Sequence, residues 1–406
     1  MAIAPTVSAD DTQQGEWTRE TAMIVILCFI LNMVDGMDVL IVSYIAPGLQ
    51  KSWGVSPAEL SIVFSAGLAG MALGGLGLAP MADRFGRKRM IMVAIGLMAI
   101  AMYISSHATS VSQLAGIRFF VGIGIGTVLA CIAAIAARVA PLKHRNFAVG
   151  VLQGGYPIGA MITGFVAAWA LPIYGWEAML VATAVVSAIF VPIVYFVLPH
   201  SVTAAPEGAK HTLAETVAGH RRKASLLLWM TTICGFMALY FITSWITKLA
   251  IEAGLPERNA LIASSIYNFG AFAGTFVGSV AATRMSVHRL CGALLGAAAI
   301  VFLVFGGVAM PLIGVLITAF LMGITLQGGF NLVYPIAAQV YPDAVRATGI
   351  GWAFGIGRIG AFTGPIVGGW ALSQNWPLVA VFGIFVVPLA IAAMGALAVG
   401  RLHRAN

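Results

Sequence analysis

Charge is what this sequence has least of. Asp, Glu, Lys and Arg make up only 9% of the 406 residues, apolar residues make up 60%, and the mean hydropathy is +0.97. That balance excludes a soluble globular domain of this length. Cysteine is scarce too. Cys28, Cys131, Cys234 and Cys291 are far apart, each in or beside an apolar run. They read as small core residues, not as a disulfide framework or a metal site. No G-x-x-x-x-G-K-[ST] loop and no metal-ligating cluster occurs, which argues against primary pumping. No cofactor and no enzymatic activity are expected. Alternating strands of about 10 residues, the pattern of a membrane β-barrel, are missing as well.

What remains is apolar sequence in long runs. Crossing about 30 Å of hydrocarbon takes about 20 residues. Twelve such runs are legible, at 21–47, 58–82, 89–106, 112–139, 146–170, 176–198, 225–250, 259–282, 290–308, 311–340, 346–373 and 377–400. They are expected to be helices, because each span must satisfy its own backbone hydrogen bonds in lipid. The expectation is an all-α membrane protein of twelve transmembrane helices in two pseudo-symmetric six-helix bundles. The net charge of +8 is no nucleic-acid signal, because 17 of the 22 Lys and Arg fall on one side. Lys51, Lys248 and Arg258 fall on the other, and Arg118 and Arg358 lie within spans. By the positive-inside rule both termini are cytoplasmic, in what is expected to be a bacterial inner membrane. Residues 1–20 carry Asp10, Asp11, Glu16 and Glu20 and do not read as a cleaved leader.

The longest polar stretch, His200–Lys223, divides the chain. The expected organisation is a tail at 1–20, a bundle at 21–198, a central loop at 199–224, a bundle at 225–400 and a tail at 401–406. The halves are related. Residues 122–171 laid on 323–372 without a gap give 17 identities in 50, among them Pro141/Pro342, Arg145/Arg346, Gly159/Gly360 and Trp169/Trp370. An ancestral six-span duplication fits alternating access about a midplane site. The same offset of 201 pairs Asp35 with Phe236, Asp38 with Leu239, Asp83 with Arg284, Arg118 with Ala319 and Arg358 with Pro157. The acidic apparatus therefore belongs to the first half, and Arg358 is peculiar to the second.

The few intramembrane charges are the functional hypotheses. Asp35 and Asp38, in Val34-Asp35-Gly36-Met37-Asp38, share one helical face. The bland alternative is a turn around Gly36. Arg118, at roughly the depth of Asp38, offers a carboxylate–guanidinium pair, which a static structural ion pair would also explain. Arg358 falls about mid-span and can hold a carboxylate bidentately. Flat apolar walls with a few polar groups suit an aromatic acid. Candidates are Tyr240, Trp245, Tyr267, Asn268, Gln327, Asn331 and Tyr334, each of which could equally be packing. Lys248 reads as snorkelling to the interface, with contact to an entering anion as the minor reading.

Three motifs carry a family resemblance. Ala79-Pro80-Met81-Ala82-Asp83-Arg84-Phe85-Gly86-Arg87-Lys88 resembles the G-x-L-a-D-r-x-G-r-k signature of the major facilitator superfamily, although Ala79 and Met81 depart from it. Arg118-Phe-Phe-Val-Gly122-Ile-Gly124 resembles that superfamily's R-x-x-x-G-x-G. Tyr341-Pro-Asp-Ala-Val-Arg346-Ala-Thr-Gly349, Gly357-Arg358-Ile-Gly360 and the D-G-x-D of the first span resemble its aromatic acid:H+ symporter family along essentially the whole chain. In Ser244-Trp245-Ile246-Thr247, Thr247 stands where that family usually has Pro. The resemblance implies proton-coupled uptake of a benzoate, hydroxybenzoate or muconate, with protons as the coupling ion and Asp35 and Asp38 needed for it. A cytoplasmic gate of Asp83, Arg84, Arg87, Lys88, Arg145 and Arg346 is expected, although a mere topology cluster would explain the basic residues. The expected partners are a small organic acid and the bilayer, with no nucleic acid, and the protein is expected to act as a monomer. The rivals are a proton-coupled exporter of drugs or metabolites on the same scaffold and an uncoupled organic-anion facilitator.

Overall fold

A computed structural model describes residues 17–78, 81–141, 144–199, 221–342 and 345–405. The helices are α1 (Arg19–Trp53), α2 (Pro57–Leu73, continued by a π-turn at Gly74–Leu78), a short α3 (Ala82–Phe85), α4 (Arg87–Ser105), α5 (Val111–Val139) and α6 (Arg145–Val197). The expected central loop at 199–224 lies mostly outside the described residues, and its last four residues, 221–224, are helical. Next come α7 (Arg221–Glu252), α8 (Glu257–Ala281), α9 (Val287–Gly307), α10 (Leu312–Asn331), α11 (Val333–Val340), α12 (Arg346–Ser373) and α13 (Leu378–Ala405). Eleven helical stretches among the described residues are long and apolar enough to cross a membrane. One of them, α6, is 53 residues long. At about 1.5 Å per residue it is more than twice the bilayer core. It breaks at Gly175 (φ 79, ψ 176), a backbone conformation that glycine adopts without strain. The break makes two crossings of it and twelve in all among the described residues. The tenth crossing is interrupted at Leu332, because Pro335 has no N–H to give the Asn331 carbonyl.

The chain forms two compact units, Met1–Gly48 with Ala66–Glu207, and Leu49–Ser65 with Gly208–Asn406. Inside each, helices approach closely through glycine. A Cβ on Gly70 would lie 2.0 Å from the Phe119 carbonyl, and one on Gly74 2.1 Å from that of Ile123. In the second unit the corresponding contacts are Gly270 on Phe320 and Gly274 on Ile324, both on the carbonyl oxygen. The first helix of each half repeats the pattern, with Gly159 on the Met33 carbonyl and Gly360 on that of Ile233. In a membrane, where lipid is as apolar as leucine, such close backbone packing is a main source of helix association. Outward side chains such as Ile100, Phe196 and Ile313 are exposed and apolar, as lipid-facing residues must be.

These contacts correct the repeat register. Gly159/Gly360 are 201 apart, but their partners Met33/Ile233 are 200 apart, as are Gly74/Gly274. The first two helices of each half therefore correspond at an offset of 200, with one extra residue in the second half before its fourth crossing. Asp35 and Asp38 match Gly235 and Ala238, not Phe236 and Leu239. An ungapped comparison of the later helices cannot see a single insertion in a connecting segment.

Along α1 and α6 the contacts form a row. The Asn32 amide donates to the Leu152 carbonyl, and the Tyr44 hydroxyl donates to that of Ala160 (2.8 Å). Between them a Cβ on Gly36 would sit 2.0 Å from the Tyr156 carbonyl oxygen. Gly36 lies inside the 35-residue α1, so the D-G-x-D segment is helix and not a turn. A Gly36→Ala variant must push two backbones apart. Overpacking of this kind costs about 1–3 kcal/mol. Its thermal stability in detergent should fall by several degrees and transport should drop sharply; a wild-type melting profile would show that the helices do not need this contact.

Candidate functional site

In the first unit the site is built on the α1–α6 row. Asp35 and Asp38 are 1% and 0% exposed. Asp38 takes one hydrogen bond on its carboxylate, donated by the Ser187 hydroxyl to Oδ2 at 3.2 Å. Its Oδ1 and both carboxyl oxygens of Asp35 have no hydrogen-bond partner among the described residues. The carboxylate–guanidinium pair expected between Asp38 and Arg118, buried on α5, is not made as a direct side-chain hydrogen bond among the described residues. Its Nη2 donates to the main-chain carbonyl of Asp38 at 2.7 Å, and its Nη1 contacts the Met102 sulfur at 3.0 Å. The guanidinium thus neutralises the region without locking the carboxyl group. Two acids with a single donated hydrogen bond between them can exchange a proton, because no fixed ion pair has to be broken first.

In the second unit the centre is Arg358 on α12. Its Nη1 donates to the Tyr240 hydroxyl at 3.0 Å. Its guanidinium lies 5.3 Å from the Phe236 ring centre and 6.0 Å from that of Tyr240. Phe236 packs on Phe330 at 4.5 Å and edge-on to Phe354 at 6.0 Å, and Tyr334 stacks on Phe354 at 3.8 Å and 12°. Ring faces are electron-rich and suit a desolvated guanidinium. Rings and a guanidinium together are chemically suited to a planar ring carrying a carboxylate. A polar ladder runs beside it on α10. Gln327 donates to the Asn331 side-chain oxygen at 3.1 Å, and the Asn331 amide donates to the Thr275 hydroxyl at 2.8 Å.

Of the sequence candidates, the structure gathers Arg358, Tyr240 and Tyr334 around one cluster, and joins Gln327 to Asn331. Trp245 is fully buried and donates to the Pro365 carbonyl at 3.0 Å, tying α7 to α12. Asn268 bonds back to Ser264 in its own helix, and Tyr267 is buried where its carbonyl meets Gly323. Lys248 pairs with Glu252 at 2.8 Å. Of the gate residues, Arg84 is exposed, whereas Arg87 and Lys88 are buried, with the Lys88 ammonium 5.1 Å from the Tyr195 ring centre. Arg346 caps the end of α11 by donating to the Ala338 and Tyr341 carbonyls. The side chains of Asp83 and Arg145 lie outside the described residues. The sequence reading missed Phe236, Phe330, Phe354 and Ser187. A signal for the aromatics was present, since Phe236/Tyr240, Phe330/Tyr334 and Phe354/Arg358 are each four residues apart, the first and last pairs on one helix and the middle pair across the interruption at Leu332. Ser187 had none.

Comparison with known proteins agrees with this architecture. The chain is 29% identical to a 4-hydroxybenzoate transporter, PcaK, of Pseudomonas aeruginosa, over 94% of its own length and 93% of that protein's. It is 27% identical to a gallate transporter of Pseudomonas putida, over 93% and 92%. Among solved structures it superposes on an inward-facing bacterial homolog of the human lysosomal transporter Spinster, with a TM-score of 0.77 at 16% identity, covering 96% of this chain and 99% of that one. The sequence profile of the Major Facilitator Superfamily matches residues 28–315, well over half of the chain. With twelve crossings, a duplicated six-helix unit and that match, the chain belongs to the Major Facilitator Superfamily, as a multi-pass membrane transporter and not an enzyme.

Proposed function

We propose that the protein imports an aromatic carboxylate, of the benzoate or hydroxybenzoate kind, together with a proton by alternating access. The observation that carries the substrate class is the fixed guanidinium of Arg358 inside a wall of Phe236, Tyr240, Phe330, Tyr334 and Phe354. An aromatic acid presents both complements, a planar face for the rings and a carboxylate for the fork. The 4-hydroxybenzoate and gallate transporters that this chain resembles support the same class. Gln327 and Asn331 are suited to ring hydroxyls; an acyclic unsaturated diacid such as muconate would use Arg358 but less of the wall.

Asp35 and Asp38, with Arg118, form the proton site in this reading. Two buried carboxyl groups three residues apart cannot both be charged at tolerable cost. A proton taken from outside neutralises the pair, and the substrate anion binds at Arg358. Each ligand favours the state that can turn inward, so both are needed for turnover. Asp83, with the basic residues Arg84, Arg87, Lys88, Arg145 and Arg346, is proposed to latch the cytoplasmic side. In this reading the protein sits in the inner membrane with both termini cytoplasmic and works as a monomer.

Proteoliposomes with an inward proton gradient test the coupling. Asp35→Asn or Asp38→Asn should abolish gradient-driven accumulation of radiolabelled 4-hydroxybenzoate, while the protein stays folded and inserted. Uptake in the wild type should fall as external pH rises, since the proton-loaded form is lost. Undiminished accumulation in both variants would leave an uncoupled facilitator.

The substrate role of Arg358 has its own readout. Arg358→Lys keeps the charge but loses the fork and should raise the apparent Kd for 4-hydroxybenzoate about tenfold, while Arg358→Ala should nearly abolish binding. Methyl 4-hydroxybenzoate, which has no carboxylate, should be much less affected; equal losses for acid and ester would make Arg358 structural. Phe354→Leu removes a stacking face worth about 0.5–1.5 kcal/mol. It should weaken 4-hydroxybenzoate more than muconate, read as a competition ratio.

A further inference from the structure

We infer that Ser187 is a positioning residue that decides which of the two buried carboxyl groups keeps the proton; this rests on the reading of Asp35 and Asp38 as the proton site. Hydroxyls inside membrane helices ordinarily bond back to a carbonyl of their own helix. Thr183, one turn before Ser187, does so to Leu180, and Thr163 and Thr127 do so to Gly159 and Ile123, each at 2.8 Å. Ser187 instead donates to Asp38 Oδ2, 149 residues away in sequence. It is fully buried and lies past the Gly175 break, on the sixth crossing.

The consequence is an inequality between two otherwise similar acids. Asp38 receives a hydrogen bond on its carboxylate, and Asp35 receives none among the described residues. The other groups around Asp38 do not supply one. Asp35 is on its own helix and is itself an acid. Arg118 on α5 reaches the Asp38 main-chain carbonyl, and α4 offers the Met102 thioether to Arg118. A buried anion needs a donor, and a buried neutral acid tolerates its absence far better. Asp38 is therefore equipped to carry the charge and Asp35 to hold the proton, and the hydroxyl of Ser187 makes the difference. The bond joins the first crossing to the sixth, so a displacement of one against the other would remove the inequality and free the proton to move between the acids.

Infrared difference spectroscopy of the full-length protein in lipid nanodiscs, titrated with pH, reads the carboxyl C=O stretch directly. In otherwise wild-type protein at neutral pH, the protonated-carboxyl band should vanish in Asp35→Asn and persist in Asp38→Asn. In Ser187→Ala the band of Asp38 should persist to higher pH, by about one to two units, the size expected for one lost hydrogen bond to a charged group. Ser187→Cys fills the space with a weak donor and should behave like alanine, while Ser187→Thr keeps the hydroxyl and should behave like wild type. Titrations of the alanine and cysteine variants indistinguishable from wild type would overturn the inference, as would a threonine variant that follows alanine. Should the bands shift as stated while the pH profile of 4-hydroxybenzoate uptake stays fixed, the assignment of Ser187 holds and the coupling reading of the acid pair fails.

Discussion

A charge taken out of water must be neutralised or met by donors, and inside a bilayer there is little to meet it with. That constraint orders the whole molecule. Along α1 the chain places two carboxyl groups at positions 0–1% exposed and supplies their oxygens with one side-chain donor. Arg118 stands close by but spends its hydrogen bonds on a main-chain carbonyl and a thioether. A bidentate clamp on Asp38 would have been the more stable ion pair, yet would have fixed the charge permanently. A guanidinium on the main-chain carbonyl leaves the carboxylate itself without such a clamp. The packing that holds this geometry is correspondingly rigid, with Asn32, Gly36 and Tyr44 fixing α1 to the backbone of α6 turn by turn.

The two halves share a scaffold and divide the chemistry. The same glycine-on-carbonyl approaches recur at Gly70 and Gly270, Gly74 and Gly274, and Gly159 and Gly360. Small residues at these points are demanded by the close approach itself, so they survive duplication whatever the site does. The side chains on the free faces carry no such demand. There the first half holds acids, and the second holds an arginine among aromatic rings. Arg358 occupies the position of Pro157, next to Tyr156 whose carbonyl lies over Gly36. A position that shapes the backbone in one half thus carries a charge in the other.

Much of this was legible in the sequence, for identifiable reasons. Span length and loop charge are governed by the bilayer, so the crossings and the repeat can be read from composition and spacing. Asp35, Asp38 and Arg358 stood out because charge in hydrocarbon is rare. Three things were not legible. The repeat slips by one residue in the first two helices of each half, and only the three-dimensional glycine contacts reveal it. The direction of Arg118 depends on which of several nearby acceptors its fork meets, which spacing cannot say. Ser187 looks like any small residue in an apolar run, and its partner is 149 residues away. Trp245 and Asn268 had the right residue types for a ligand site, but tertiary packing uses them to tie helices or to satisfy a helix's own carbonyl.

Arg358 donates to the neutral phenol of Tyr240 and faces the rings of Phe236 and Tyr240. Both interactions are modest, at about 1–2 kcal/mol each. They suffice to hold a guanidinium in a fixed direction, because the rings restrict its rotamers. They are weak enough for an incoming carboxylate to compete, since a charge-assisted bidentate pair is roughly twice as strong per bond. Tyr334 lies flat on Phe354 at 3.8 Å, so a stacked aromatic surface already exists within the cluster. A bound aromatic acid would then replace contacts of the same kinds by stronger ones, with little rearrangement of the wall.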